Sequence, residues 1–124
     1  MTNMKYNCII VDINDEEITI KIGDAHITGF SNSGVSKEIG DEAMVDILLY
    51  DDLEISESNK SEVCIERKEN SFAYSLYGRL DIDNSMLKSE IDFEISPEEL
   101  FDYGYLDGKE VKVDTIRIDL EFIQ

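Results

Sequence analysis

The chain has no tryptophan, one proline, one histidine, two cysteines and only three alanines (Ala25, Ala43 and Ala73) in 124 residues. Two cysteines cannot build the disulfide framework of a small secreted scaffold. Each lies in an apolar, strand-like run, Cys8 in Cys8-Ile9-Ile10-Val11 and Cys64 between Val63 and Ile65, so two buried free thiols are expected. The one histidine, His26, has no serine elbow or organised cysteine beside it and reads as an exposed strand residue. No glycine-rich phosphate loop leads from a strand into a helix. The N-terminal apolar run Cys8-Ile9-Ile10-Val11 is too short for a signal peptide or a membrane span, which makes a cytoplasmic location the expectation.

Positive charge is also scarce. Eleven Lys and Arg against twenty-nine Asp and Glu leave a net charge of −18, a field that repels nucleic acid and anionic lipid and favours a basic partner. Carboxylates are so abundant that pairs at catalytic spacing carry little information. Asp81-Ile82-Asp83-Asn84 opens like a calcium loop, but Met86 stands where the sharp turn needs Gly and Asp92 where the bidentate Glu belongs. The sequence therefore assigns no catalytic residue, metal ligand or cofactor, and no enzymatic activity is expected. Its richness in Ile, Asn and Lys fits AT-rich coding, as in many bacteria and their phages.

What is present is apolar alternation with period two, the mark of half-buried strands. Ile9, Val11 and Ile13 share one phase. Ile18, Ile20 and Ile22 follow after a turn at Asn14-Asp15, and Gly23-Asp24 offers a type II′ hairpin that pairs Ile22 with Ala25, Lys21 with His26, Ile20 with Ile27 and Thr19 with Thr28. Residues 31–41 read as a crossing loop. Val63 and Ile65 begin a strand that turns near Lys68 to Asn70 and returns through Phe72, Tyr74 and Leu76, with a bend or bulge at Gly78. A two-residue turn at Asn84-Ser85 would pair Ile82 with Leu87, Asp81 with Lys88, Arg79 with Glu90 and Leu76 with Phe93.

One phrase occurs twice. Gly40-Asp41-Glu42-Ala43-Met44-Val45-Asp46 is answered by Gly108-Lys109-Glu110-Val111-Lys112-Val113-Asp114, and Asp52-Leu53-Glu54 by Asp119-Leu120-Glu121. In the first copy Met44, Leu48 and Tyr50 are apolar on the phase opposite Val45, Ile47 and Leu49, so a central strand covered on both faces is expected. In the second the apolar phase slips between Asp114 and Ile116, as strands serving two sheets require. This glycine-led turn and strand resembles the element common in small OB-like and SH3-like barrels, which often bind single-stranded nucleic acid through basic and aromatic strands. The basic half of that requirement is missing here.

The fold expected is thus all-β: a single small domain of about eight strands, its two degenerate halves spanning about 1–58 and 59–124, closed as an OB-like or SH3-like barrel or a sandwich. One short helix near residues 97–102 follows from Ser96-Pro97-Glu98-Glu99, a capping Ser, a Pro at the first position and acids at the positive end of the helix. The segment from Glu98 to Asp107 sets Phe101, Tyr103 and Tyr105 among Glu98, Glu99, Asp102 and Asp107, a composition suited to an interface whose rings anchor and whose charges steer. Tyr77, beside Arg79, is a further candidate. The function expected is an acidic, non-enzymatic protein docking a basic protein partner, such as a toxin immunity protein or a phage-type inhibitor acting on a nuclease or toxin. The alternative is a small-ligand-binding or accessory barrel of a metabolic assembly, with its mouth near Ser31 to Gly34 and Phe101 to Tyr105.

Overall fold

The computed structural model describes residues 5–32, 34–49, 53–59, 62–69 and 71–123. The strands are β1 (Lys5–Asn14), β2 (Glu17–Ile22), β3 (Ala25–Phe30), β4 (Glu42–Leu49), β5 (Glu54–Glu57), β6 (Cys64–Arg67), β7 (Tyr74–Asp81), β8 (Met86–Lys88), β9 (Asp92–Glu94), β10 (Glu110–Thr115) and β11 (Ile118–Ile123). Between β9 and β10 a helix, α1 (Pro97–Leu100), runs into a 3-10 segment (Phe101–Leu106). Tyr50 and Asp52, and the loop and turn positions Ser33 and Asn70, lie outside the described residues.

The architecture is the all-β one that the alternation implies. β1, β2, β3, β11 and β4 close in that order into a five-stranded barrel, while β5, β10, β7, β8 and β9 form a second sheet with β6 alongside β7. Among the described residues there are eleven strands where about eight are expected, because three long runs divide. Residues 86–94 turn back on themselves, and each copy of the repeated phrase divides where it passes from one sheet to the other.

That passage organises the molecule. β4 lies between β1 and β11 in the barrel, and β10 lies between β5 and β7 in the second sheet. The first copy leaves the barrel as β4 and enters the second sheet as β5; the second copy makes the reverse journey from β10 to β11. The copies also pair with each other, β4 with β11 from Met44↔Ile123 to Leu49↔Ile118, and β5 with β10 from Glu54↔Asp114 to Glu57↔Val111. They form one antiparallel ribbon threading both sheets. Gly40 and Gly108 launch the two strands from φ values of +94° and +77°, a left-handed region that glycine enters without strain. The slip expected near Thr115 is the crossing point, where exposed Ile116 separates the strands and the Thr115 hydroxyl donates to the Arg117 carbonyl at 2.9 Å.

Local pairing follows the sequence in one hairpin and departs from it in another. β2 and β3 pair as expected, Ile22 with Ala25 through Thr19 with Thr28, and Gly23 alone of its two turn residues has positive φ, as a type II′ turn requires. Across Asn84 the register is Leu80↔Leu87 and Asp81↔Met86, two residues away from the expected one. The cause is Asp81, whose carboxylate accepts from the Asn84 backbone N–H (3.2 Å) and side-chain amide (2.8 Å), closing a four-residue loop with Ser85 at φ +53°. Asp81 and Lys88 still meet, diagonally, at 3.8 Å. Phe93 then belongs to β9, opposite Leu87, and not to a strand facing Leu76. Gly78 makes no bulge: its register against β10 is continuous, and a Cβ there would stand 2.2 Å from the Lys88 carbonyl oxygen.

Two further expectations are corrected. In β1 the inner phase is Tyr6, Cys8 and Ile10, while Ile9 and Val11 face outward; a bulge between Ile10 and Asp12 then resets the pairing with β2 and returns Ile13 to the core side, opposite Ile18. In β4 the second apolar phase is uncovered: Met44 and Leu48 are each 42% exposed.

Isoleucine fills the barrel. Ile10, Ile18, Ile20, Ile27 and Ile118 are fully buried with Val45, and the same apolar cluster continues into Leu76, Leu80, Leu87, Phe93, Val111 and Val113 of the second sheet. Polar ties fasten the two layers. The Tyr74 hydroxyl accepts from the Thr28 N–H at 2.8 Å, Arg67 reaches Glu17 at 2.6 Å, Phe72 meets Phe30 edge-on at 6.0 Å, and the Tyr6 hydroxyl donates to the Asp92 carbonyl. Burial, then the Asp92, Glu94 and Asp46 carboxylates, push the Tyr6 phenol well above its usual range, so it stays a donor.

Replacing Gly78 by Ala is expected to lower stability by about 1–3 kcal/mol, since the new methyl meets backbone that cannot move aside; urea unfolding measures this. On β10, partial burial raises the Asp114 carboxyl, but the Ser75 hydroxyl at 2.6 Å and the ammoniums of Lys68 (3.3 Å) and Lys112 (3.6 Å) outweigh it and hold it below the usual carboxylate range. A depressed carboxyl stabilises the fold above its unfolded pKa and ceases to as pH falls through its folded value. The wild type's advantage over Asp114→Asn in urea midpoint is therefore complete above about pH 5 and shrinks below about pH 3.9.

Candidate functional site

The acidic aromatic segment is fixed at both ends to the β7–β8 hairpin. Ile95, 1% exposed, precedes it, and its N–H donates to the Ser85 carbonyl at 2.9 Å. Ser96 caps the helix, its hydroxyl accepting from the Glu98 N–H at 3.3 Å, and Pro97 takes the first helical position. At the far end the Gly108 N–H donates to the Leu80 carbonyl at 2.8 Å and the Leu80 N–H to the Lys109 carbonyl at 3.1 Å. Leu100 and Leu106 insert into the core from between these anchors.

The fixed ends lift the middle into solvent. Phe101 is 86% exposed and Tyr105 70%, the two most exposed large apolar side chains among the described residues. Tyr103, at a kink with φ −114° and ψ 18°, lies half-buried against the core. Glu98 and Asp102 are exposed and Glu99 half-buried, with no cation within ion-pair distance of any of them among the described residues. The segment is thus a projecting knuckle that presents two exposed aromatic rings together with carboxylates that no cation pairs among the described residues.

The candidates do not all converge. Asp107 is a structural anchor, its carboxylate accepting from the Ile82 N–H at 3.0 Å. Tyr77 is half-buried on β7 with Lys112 and Cys64 as cross-strand neighbours, so the pairing does not bring it to the knuckle. Leu106 is buried in the core; Phe101 is not.

A second feature escapes the sequence reading. A groove of about 740 Å3 on the outer barrel wall is lined by Ile9, Met44 and Ile123 together with Lys21, Lys37 and Glu42. Its only signal in the sequence was apolar character on both phases of β1 and β4, which also fits burial. His26 is exposed opposite Lys21. Cys8 is buried and Cys64 half-buried, both as free thiols, and burial pushes the Cys8 thiol up, away from reactivity. Among the described residues no group of three or more His, Cys, Asp or Glu side chains is placed to hold a metal ion, and no helix is long and apolar enough to cross a membrane.

No curated protein and no solved structure matches the chain. A family model matches it almost end to end, over residues 4–123, and on that match the chain belongs to the family described as uncharacterised conserved protein UCP019853.

Proposed function

We propose that this is a non-enzymatic acidic binding protein that docks a basic protein partner on the knuckle formed by Glu98, Glu99, Phe101, Asp102, Tyr103 and Tyr105. The observation that carries the reading is the exposure of Phe101 and Tyr105 in one short segment with carboxylates that have no ion-pair partner among the described residues. Aromatic rings held by a rigid scaffold lose little entropy on binding and supply the anchoring energy of an interface. The field of a chain carrying −18 raises the rate of encounter with a basic surface. A toxin or nuclease is the partner class with the matching charge, and an immunity protein or phage-type inhibitor the corresponding role in a bacterial cytoplasm.

Two observations weigh against other readings. The outward side of β2 and β3, the face OB-like barrels use for nucleic acid, is covered at Glu17, Thr28 and Phe30 by Arg67, Tyr74 and Phe72. A small ligand inside the barrel would have to displace fully buried isoleucines.

Phe101→Ala is expected to change unfolding free energy by no more than about 0.5 kcal/mol, whereas Leu106→Ala costs about 2–5 kcal/mol. Binding reverses the order. A basic protein captured from the native host should lose affinity about thirtyfold or more on Phe101→Ala with Tyr105→Ala, and its association rate should fall steeply with salt. Equal capture by wild type and double variant would sink the reading.

A further inference from the structure

In a chain with twenty-nine carboxylates, a cation finds a partner by default. Every described Lys and Arg other than Lys21 and Lys37 stands within 3.9 Å of a carboxylate. Those two have no such partner among the described residues, and both line the groove on the outer barrel wall.

The floor of that groove is apolar. Ile9, Met44 and Ile123 are 43%, 42% and 41% exposed. The register makes them neighbours: Lys21 lies opposite Ile9 on β1, Met44 opposite Ile123 on β11, and Ile9 and Met44 are diagonal across β1 and β4. Over the curved outer wall three strand spacings of about 4.8 Å separate Lys21 on β2 from Ile123 on β11, an arc of about 14 Å that an alkyl chain of about a dozen carbons covers by bending round the wall. An ammonium with no carboxylate partner among the described residues, Lys21, at one end of an exposed apolar strip, with Lys37 on the same groove lining, is complementary to an amphiphile with an anionic head and a single apolar tail. Glu42, beside Ile9 on the side away from Lys21, directs such a head toward Lys21. The overall charge of −18 opposes an anionic bilayer, so a free amphiphile is the occupant that fits.

We propose that the groove between Lys21 and Ile123 binds a free, single-chain amphipathic anion, its carboxylate or phosphate monoester head on Lys21 and Lys37 and its tail along Ile9, Met44 and Ile123. This site is separate from the aromatic knuckle and stands whether or not a basic partner docks there.

The test titrates the full chain, below the micelle concentration of each probe, with dodecanoate, dodecyl phosphate, dodecyltrimethylammonium and inorganic phosphate, by calorimetry and amide NMR. Saturable binding of the two anionic amphiphiles is expected, with shifts centred on Lys21, Met44 and Ile123. The pair Lys21→Glu and Lys37→Glu should weaken it about tenfold or more. Met44→Asp, an exposed change that leaves the core intact, should weaken it similarly, and Phe101→Ala should leave it unchanged. Equal affinity for the ammonium amphiphile, undiminished binding by the lysine variant, shifts confined to other strands, or binding only to phosphatidylglycerol vesicles would each overturn the proposal.

Discussion

The structure depends on one ribbon that belongs to two sheets. The copies of the glycine-led phrase pair along their length, β4 on β11 in the barrel and β5 on β10 beyond it, so neither sheet can form its central contacts without the other. The crossing is held locally. Arg117 places two guanidinium nitrogens on Asp119, at 2.6 and 3.2 Å, and lies over the Phe30 ring at 4.7 Å, and Phe30 in turn meets Phe72. A fork of this kind is rigid in a way that a lysine is not, which suits the one point where the strand must change direction. It also fastens the barrel at its weakest seam, where β3 and β11 share only the parallel pair Phe30↔Asp119.

The surplus of negative charge is handled by distribution. Most of the described cations are spent in pairs near the sheets: Lys68 on Asp114 and Arg67 on Glu17 tie one strand region to another, and Lys112 meets Asp114 within β10. Among the described residues the knuckle receives none. Its carboxylates therefore project an uncompensated field around two exposed rings, while Lys21 and Lys37 leave a small cationic exception on the barrel wall. Both surfaces arise from where ion pairs are absent in a chain that otherwise makes them readily.

Legibility in the sequence tracked the range of the forces involved. The Gly23 hairpin was readable because a turn residue and two cross-strand sets agreed on one register. The Asn84 hairpin offered an equally consistent pattern and was wrong, because the Asp81 side chain closed a longer loop and shifted the pairing by two residues, a change that keeps every side chain on its face. In β1 both phases of Cys8-Ile9-Ile10-Val11 are apolar, so composition could not say which faced inward. The acidic aromatic segment was legible as a candidate, but whether Phe101 packed inward or faced solvent turned on anchors at Ser85, Ile82 and Leu80.

By itself the sequence determined the β class, the turn glycines, the capped helix at Pro97, the net charge and the phase slip that marks the crossing strand, since each is set by neighbours within a few residues. Only the tertiary structure decided which strands share a sheet, that the repeated phrases pair with each other, and which apolar residues remain outside. Those outcomes depend on contacts between segments far apart in the chain, from 31 residues (Arg79↔Glu110) to 79 (Met44↔Ile123), where many arrangements satisfy the same local pattern and packing selects one.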